Sequence, residues 1–329
     1  MKYLLTLLSL TLTTSIYGQQ AYSAQVYHLA NLEQAKVAIV QQDYEAAYQI
    51  YEAHFQLNQP AFAEDYYNAL LLAADRENWS LVLKTARELR KSGFCTKQLQ
   101  FILEDFADPS RSSELLSYLD QVPKEYDDIL QTQISLLLQS ERSMRRQGAK
   151  EEISAHSLEN YQSFLNLVDQ FGFPSERSSG LFCINTIPDF KELPLDVLLI
   201  YFAHEKVPGL EELLNEAFKA GELPLSAFLH YRKILGVVPQ LMPNPLYVVN
   251  DQYYLTKLEE GQLEAIDEAR KRYGFPSVEA QLSAIKAYLF EPPALGRHQF
   301  ALGRLVDVIR VDGISDEMIQ QYFVAHKIN

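Results

Sequence analysis

The chain has 329 residues, 47% of them hydrophobic and 12% aromatic, with 43 acidic against 29 basic side chains and a formal net charge of −14. That hydrophobic share excludes global disorder, and the acidic balance excludes the basic footprint of a nucleic-acid or anionic-lipid binder. Gly and Pro are scarce, at 13 and 14, which favours helices over a many-turned β fold.

The first 18 residues are predicted to be a signal peptide. Lys2 supplies the positive start, Leu4 to Leu12 the apolar stretch, and Ile16-Tyr17-Gly18 a cleavage site before Gln19. The run is too short to span a membrane, no later stretch reaches about 18 apolar residues, and no Cys near the cleavage site supports a lipid anchor. The expectation is a soluble exported protein, periplasmic or extracellular, without a transmembrane segment. Of the two cysteines, Cys95 and Cys183, the sequence allows a disulfide or two buried thiols. Neither stands in a C-x-x-C or metal-ligand spacing.

Residues 21–122 read as helices in pairs. Leu29, Leu32, Ala35, Val37, Ala38 and Ile39 suit one helix, Asp43-Tyr44 a corner, and Ala47, Tyr48, Ile50, Tyr51 and Phe55 the next. The phrase recurs: Phe62, Tyr66, Tyr67, Leu70 and Ala73, then the corner Asn78-Trp79, then Val82, Leu83, Ala86 and Leu89 before Gly93. The corners Tyr44 and Trp79 lie 35 positions apart. This spacing, with the Asp-Tyr-x-x-Ala-x-x-x-Tyr run from Asp43 to Tyr51, resembles the tetratricopeptide repeat, whose period is about 34 residues. Ala35 stands where that repeat has Gly, and a third unit at 113–119 is faint.

Asp108-Pro109-Ser110-Arg111 and Val122-Pro123-Lys124 punctuate the transition to an α-rich domain predicted over 125–329. One long helix is expected from Tyr126 to Arg146, a polar internal loop at 147–157, and a helix over 158–171. An apolar, centrally buried helix comes next over 195–204, with two more at 210–220 and 225–235. A small β-hairpin at 246–255 turns at Asn250-Asp251. A helix from about 259 and three closing helices over 278–290, 299–311 and 316–325 complete the chain. The fold class is therefore mainly all-α: a helical-repeat array, then an α-rich domain carrying one small hairpin.

Two copies of one phrase frame that domain. Phe171-Gly172-Phe173-Pro174-Ser175 and Tyr273-Gly274-Phe275-Pro276-Ser277 lie 102 positions apart. Gly172 and Gly274 are expected at helix ends in left-handed geometry, with Pro174 and Pro276 barring continuation.

From about 134 to 289 the order of features resembles an uncharacterised, often exported bacterial family. Glu141-Arg142-Ser143-Met144-Arg145 is similar to its opening acidic-Gln-x-x-Arg element. Asn160, Leu165, Gly172-Phe173-Pro174 and Gly180 come after it, then His204 closing the apolar helix, Arg232 and Gln240, and finally Asp267 and Arg270 before Gly274-Phe275. Leu241-Met242-Pro243 replaces the family's Tyr-Gly-Thr-Gln. The resemblance implies an architecture and no reaction.

Phosphate loops, nucleophile elbows and catalytic Cys-His signatures are absent, and no metal or cofactor is implied. Two functions remain in view. The first is an interaction protein that holds a protein or peptide partner on Tyr44, Tyr48, Tyr51, Tyr66 and Tyr67 of the helical pairs. The second is an enzyme with His204 as acid or base and Arg232, Arg270 and Arg145 as anion grips.

Overall fold

The computed structural model describes residues 28–57, 59, 61–181, 183–184, 187–188, 194–237, 246–249, 252–256, 261–272, 275, 277–280, 293–302, 308–310 and 323–325. The predicted signal peptide lies outside them. The first four helices are α1 (28–40), α2 (Tyr44–Gln56), α3 (Ala63–Asp75) and α4 (Trp79–Lys91). Adding 35 to both bounds of α1 and α2 gives the bounds of α3 and α4.

The corners repeat as well. Gln42 and Glu77 take positive φ, 59° and 55°. Each precedes an N-cap whose side chain accepts a backbone amide: Asp43 from Ala46 at 3.0 Å, Asn78 from Leu81 at 3.2 Å. The amides of Asp43 and Asn78 close the preceding helices on Ala38 O and Ala73 O, both at 2.9 Å. The third pair is real but shorter, α5 (Thr96–Phe106) and α6 (Pro109–Asp120). Asp108-Pro109, expected as punctuation, is a helix start: Asp108 caps the Arg111 amide at 3.1 Å and Pro109 takes N1. Helix α3 packs against α2, α4 and α5, which explains burial on every side of it, from Tyr67 through Leu70, Leu71 and Leu72 to Ala74.

The chain continues through α7 (Asp128–Gln147), α8 (Lys150–Phe171), the single turn α9 (Glu176–Ser179), α10 (Pro194–His204), α11 (Leu210–Lys219), α12 (Leu225–Leu235) and α13 (Gln262–Arg272). Most of the loop expected at 147–157 is the first turns of α8. The break is confined to Gly148-Ala149, and Glu152 reaches back to the Ala149 amide at 3.0 Å. The stretch is polar because it is largely solvent-facing, while Ser157 turns inward at 0% exposure.

Gly172 ends α8 with its amide on Val168 O at 2.9 Å. Its φ of 80° and ψ of 179° are not the expected left-handed helical pair; they lie in an extended positive-φ region open essentially to Gly alone. Phe173 folds back as expected, edge-on to Phe164 at 6.4 Å, and Pro174 is buried. Gly274 and Pro276 fall outside the described residues. At the same helix end the Phe275 amide bonds Arg270 O at 3.1 Å, the six-to-one closure of a helix stop.

The strands are β1 (Cys183–Ile184), β2 (Ile187–Pro188), β3 (Leu246–Val249), β4 (Gln252–Thr256), β5 (Ala294–Leu295), β6 (His298–Gln299), β7 (Val308–Arg310) and β8 (Phe323–Ala325). The β3–β4 hairpin forms with Val249 opposite Gln252. It is the centre of a four-stranded sheet, ordered β7-β3-β4-β8, with β7 parallel to β3. This corrects the closing helices predicted at 299–311 and 316–325: where described, those residues contribute Gln299 to β6, and β7 and β8. Val308-Ile309 and Phe323-Val324 are short β-favouring runs whose periodicity does not separate helix from strand. Both edges of the hairpin gain a partner by it. Of the helix expected at 278–290, residues 278–280 are helical and the rest lies outside the described residues.

Among the described residues, most of the buried apolar side chains form one cluster running from Leu29 to Leu302. A backbone seam ties the array to the segments just before α7 and just after α9, Leu181 N to Ser92 O at 2.7 Å and Glu125 N to Lys91 O at 2.9 Å, and Asp127 N to Ser178 O at 2.9 Å joins the start of α7 to α9. The Tyr126 ring fills that seam between Gly93 and Gly180, where an added Cβ would lie 2.6 and 2.7 Å from it. Cys95, two residues beyond Gly93, is disulfide-bonded, and the sequence holds one other cysteine, Cys183. No helix among the described residues is long and apolar enough to cross a membrane.

Candidate functional site

The helical array holds a short hairpin of its own chain, residues 293–302, against α2, α3 and α5: β5 and β6 pair antiparallel across a turn at Gly296-Arg297, and residues 300–302 run on past it. Three side chains do so by three kinds of chemistry. Asn68 of α3, fully buried, bonds both main-chain polar groups of one residue, which belong to the two peptide groups flanking its Cα. Its Nδ2 donates to Ala301 O and its Oδ1 accepts from Ala301 N, each at 2.7 Å. Such a pairing satisfies a main-chain donor and acceptor that strand pairing would otherwise use, and it is indifferent to the side chain at 301.

Tyr44, at the first turn of α2, packs its ring on Phe300 at 5.4 Å. Asp105, near the end of α5, takes the third contact. Its Oδ2 and Oδ1 accept from Arg297 Nε and Nη2 at 2.5 and 2.7 Å, the two-pronged geometry of a guanidinium on a carboxylate. Asp105 Oδ2 also meets His298 Nε2 at 2.7 Å. The hydrogen bonds from Arg297 and His298 outweigh the burial that opposes them and hold the Asp105 carboxyl below its ordinary range. The Arg297 guanidinium stands 5.2 Å over Phe101, and the His298 ring 5.8 Å from Phe106. Phe300, Ala301 and Leu302 are buried, whereas Gln299 faces solvent.

The predicted tyrosine surface is only partly there. Tyr44 belongs to this cleft. Tyr51 and Tyr67 are core residues, at 0% and 4% exposure, and are removed from any binding surface. Tyr66 stacks on Phe55 at 5.1 Å, its hydroxyl pushed up to about 12 by burial and by Glu88. Tyr48 donates to Glu52 at 2.8 Å, accepts from Asn78 at 2.8 Å, and lies under Arg76. The physical reason is the close spacing of paired helices, which turns aromatic residues at i, i+3 and i+4 into packing.

The candidate chemical residues sit in different settings. His204 is exposed at the end of α10. Arg232 pairs with Glu211 of α11 at 2.9 Å and covers Phe228. Arg270 is 2% exposed, 5.5 Å over Phe275. Burial lowers it to about 10 against the opposing charges of Asp267 and Glu33.

Arg145 belongs to a buried network that gathers several residues of the family-like motif. Glu141, at 0% exposure, accepts from Ser157 Oγ at 2.9 Å and Asn160 Nδ2 at 3.0 Å. Arg145 lies 3.3 Å from Glu141 and bonds Glu205 at 3.0 Å, and Ser154 adds a 2.7 Å bond to Glu205. This ties α7 and α8 to the end of α10.

A second buried network surrounds Lys36 of α1, which reaches Glu64 at 2.9 Å, Glu33 at 3.4 Å and Asp65 at 3.5 Å. A cavity of about 10 Å³, room for one water, opens beside Lys36, Glu64, Asp65 and Glu176. No group of three or more His, Cys, Asp or Glu side chains among the described residues is placed to hold a metal ion.

Reading the sequence for catalytic motifs missed Asn68, Asp105, Arg297 and Phe300. The one available signal was Asn68 itself, an amide inside the apolar run from Tyr67 to Ala74. Compared with protein-family models, with curated proteins and with solved structures, the chain matches none.

Proposed function

We propose that this is an exported interaction protein whose tetratricopeptide-like array, residues 28–120, holds a protein segment along α2, α3 and α5. The observation that supports it is the double hydrogen bond of Asn68 to the main-chain N–H and C=O of Ala301. A fully buried amide spending both its polar ends on a main chain is what a surface needs to hold a chain without reading every side chain. The disulfide at Cys95 accords with an oxidising compartment outside the cytoplasm. The α-rich domain after the array carries features of the often-exported bacterial family, and its buried polar network serves helix packing in this reading.

A photo-crosslinking residue in place of Tyr44, expressed with the signal peptide, tests both halves. The expected result is a mature chain beginning at Gln19 that forms an adduct with another exported protein, lost when Asn68→Ala is added. A chain retained in the cytoplasm, or adducts indifferent to Asn68, overturns the proposal.

A further inference from the structure

We infer that the segment 293–302 is a resident copy of the ligand: the partner is a protein segment that turns at a cationic side chain and carries an aromatic one three residues later, followed by a small residue. This rests on the peptide-holding reading above and goes further by naming the occupant. Each part of the pattern answers a feature of the cleft. Asp105 presents two carboxylate oxygens to Arg297 in a position where Arg297 keeps 59% of its side chain exposed. Its role there is recognition at a rim, since an ion pair that open to water adds little to folding. Phe300 supplies the buried anchor against Tyr44, at 3% exposure. Asn68 fixes the main chain one residue later, where the small Ala301 is buried at 9% exposure.

Charge agrees with the assignment. The chain as a whole is acidic, at −14, and the cleft draws a basic residue onto its acidic rim, so a cationic segment is attracted before it is seated. The β5–β6 pair within the segment is short, two residues in each strand, and is joined through Gly296-Arg297. A partner segment that reproduces the contacts of Arg297, Phe300 and Ala301 competes for the same place. The apparent affinity for that partner is reduced by the fraction of molecules whose cleft is occupied in cis.

The test uses the full chain and a fluorescent decapeptide of the sequence of residues 293–302, read by anisotropy. Phe300→Ala and, separately, the exposed Arg297→Ala loosen the cis segment. Hydrogen exchange at the Ala301 amide, with the α3 amides still protected, reports release without unfolding. The expected result is peptide binding at least about tenfold tighter to the loosened chains than to the parent, lost in Asn68→Ala and lost again when the peptide's own Phe is replaced by Ala. No binding to either loosened chain, or binding that ignores Asn68, overturns the inference. So does release accompanied by a stable dimer that exchanges the segment between copies. A random peptide library on the same chains separates the two readings. Asn68-dependent binders lacking the cation-x-x-aromatic pattern sink this inference and leave the module standing; a library with no Asn68-dependent binder sinks both.

Discussion

Glu141 and Asp65 are both buried carboxylates, at 0% and 2% exposure, and they are held in opposite ways. Around Glu141 each oxygen has a neutral donor, Ser157 on one and Asn160 on the other, and the nearby Arg145 is shared with Glu205. Around Asp65 the acids outnumber the cation: Glu33, Glu64 and Asp65 face one Lys36, with Arg270 a further charge near Glu33. Asp65 Oδ2 accepts from the Phe62 amide at 3.2 Å, while Oδ1 has no hydrogen bond. Tyr51 Oη beside it has no well-aligned hydrogen bond either, the Asn68 amide next to it being committed to Ala301. Hydrogen bonding thus holds one site at low electrostatic tension, while the other depends on a single ammonium.

The largest expected effect comes from that dependence. Lys36→Met leaves three buried acids without their cation and should destabilise by about 3–5 kcal/mol. Arg145→Met removes a cation that is 22% exposed and leaves Glu141 its two neutral donors, so about 1.5–3 kcal/mol is expected. Urea melts followed by circular dichroism measure both. Equal losses would mean that the neutral donors around Glu141 do not carry it, and the contrast between the two sites would fail.

Removing one hydroxyl from each site gives a smaller and sharper contrast. Ser157→Ala takes a donor from a buried carboxylate and should cost about 1–3 kcal/mol. Tyr51→Phe removes a buried polar atom with no well-aligned partner, and its stability should stay within about 0.5 kcal/mol of the parent or rise. A clear loss for Tyr51→Phe would show that a water in the nearby cavity, or Asn68 itself, satisfies the hydroxyl.

Much of this architecture was legible in the chain. The 35-residue echo was visible because Asp43 and Asn78 are N-cap residues and the apolar faces repeat between them. The β3–β4 hairpin was visible from its aromatic and β-branched runs. The hidden features depended on contacts distant in sequence. Nothing local says that Ala301 lies 233 positions from its Asn68 partner in sequence yet touches it in space. Val308-Ile309 reads equally well as helix or strand until β3 lies beside it. The polar start of α8 reads as loop because its one inward polar group, Ser157, has its reason on α7. The tyrosines misled because the residue type that binds peptides also fills helix interfaces, and only burial separates Tyr44 from Tyr51.

The smallest effect is a difference in pH dependence, and its sign distinguishes the two sites. Burial, more than the neighbouring acids, raises the Glu33 and Asp65 carboxyls, and Lys36 opposes the shift. Lys36 itself is held well above its usual range: burial works against its charge, and Asp65, Glu33 and Glu64 overcome that. It keeps its proton throughout the acid range. An acid whose folded value is raised binds its proton in the native state before the unfolded state does. Stability from Glu33 and Asp65 therefore rises as pH falls toward their ordinary values, 4.5 and 3.8. Glu205 is the reverse. Partial burial pushes it up, and the Ser154 hydroxyl and Arg145 more than offset this, so its folded value is lowered from 4.5. Its contribution is intact above 4.5 and is lost as pH falls through the lowered value. Thermal melts from pH 7 down to 3 should show the melting temperature rising first and falling afterwards, with at most about 1.4 kcal/mol per pH unit for each proton. Glu33→Gln should weaken the rise and leave the fall; Glu205→Gln should soften the fall and leave the rise. If Glu33→Gln leaves the rise above pH 4.5 unchanged, the acids around Lys36 are not under the tension described, and the two networks are of one kind.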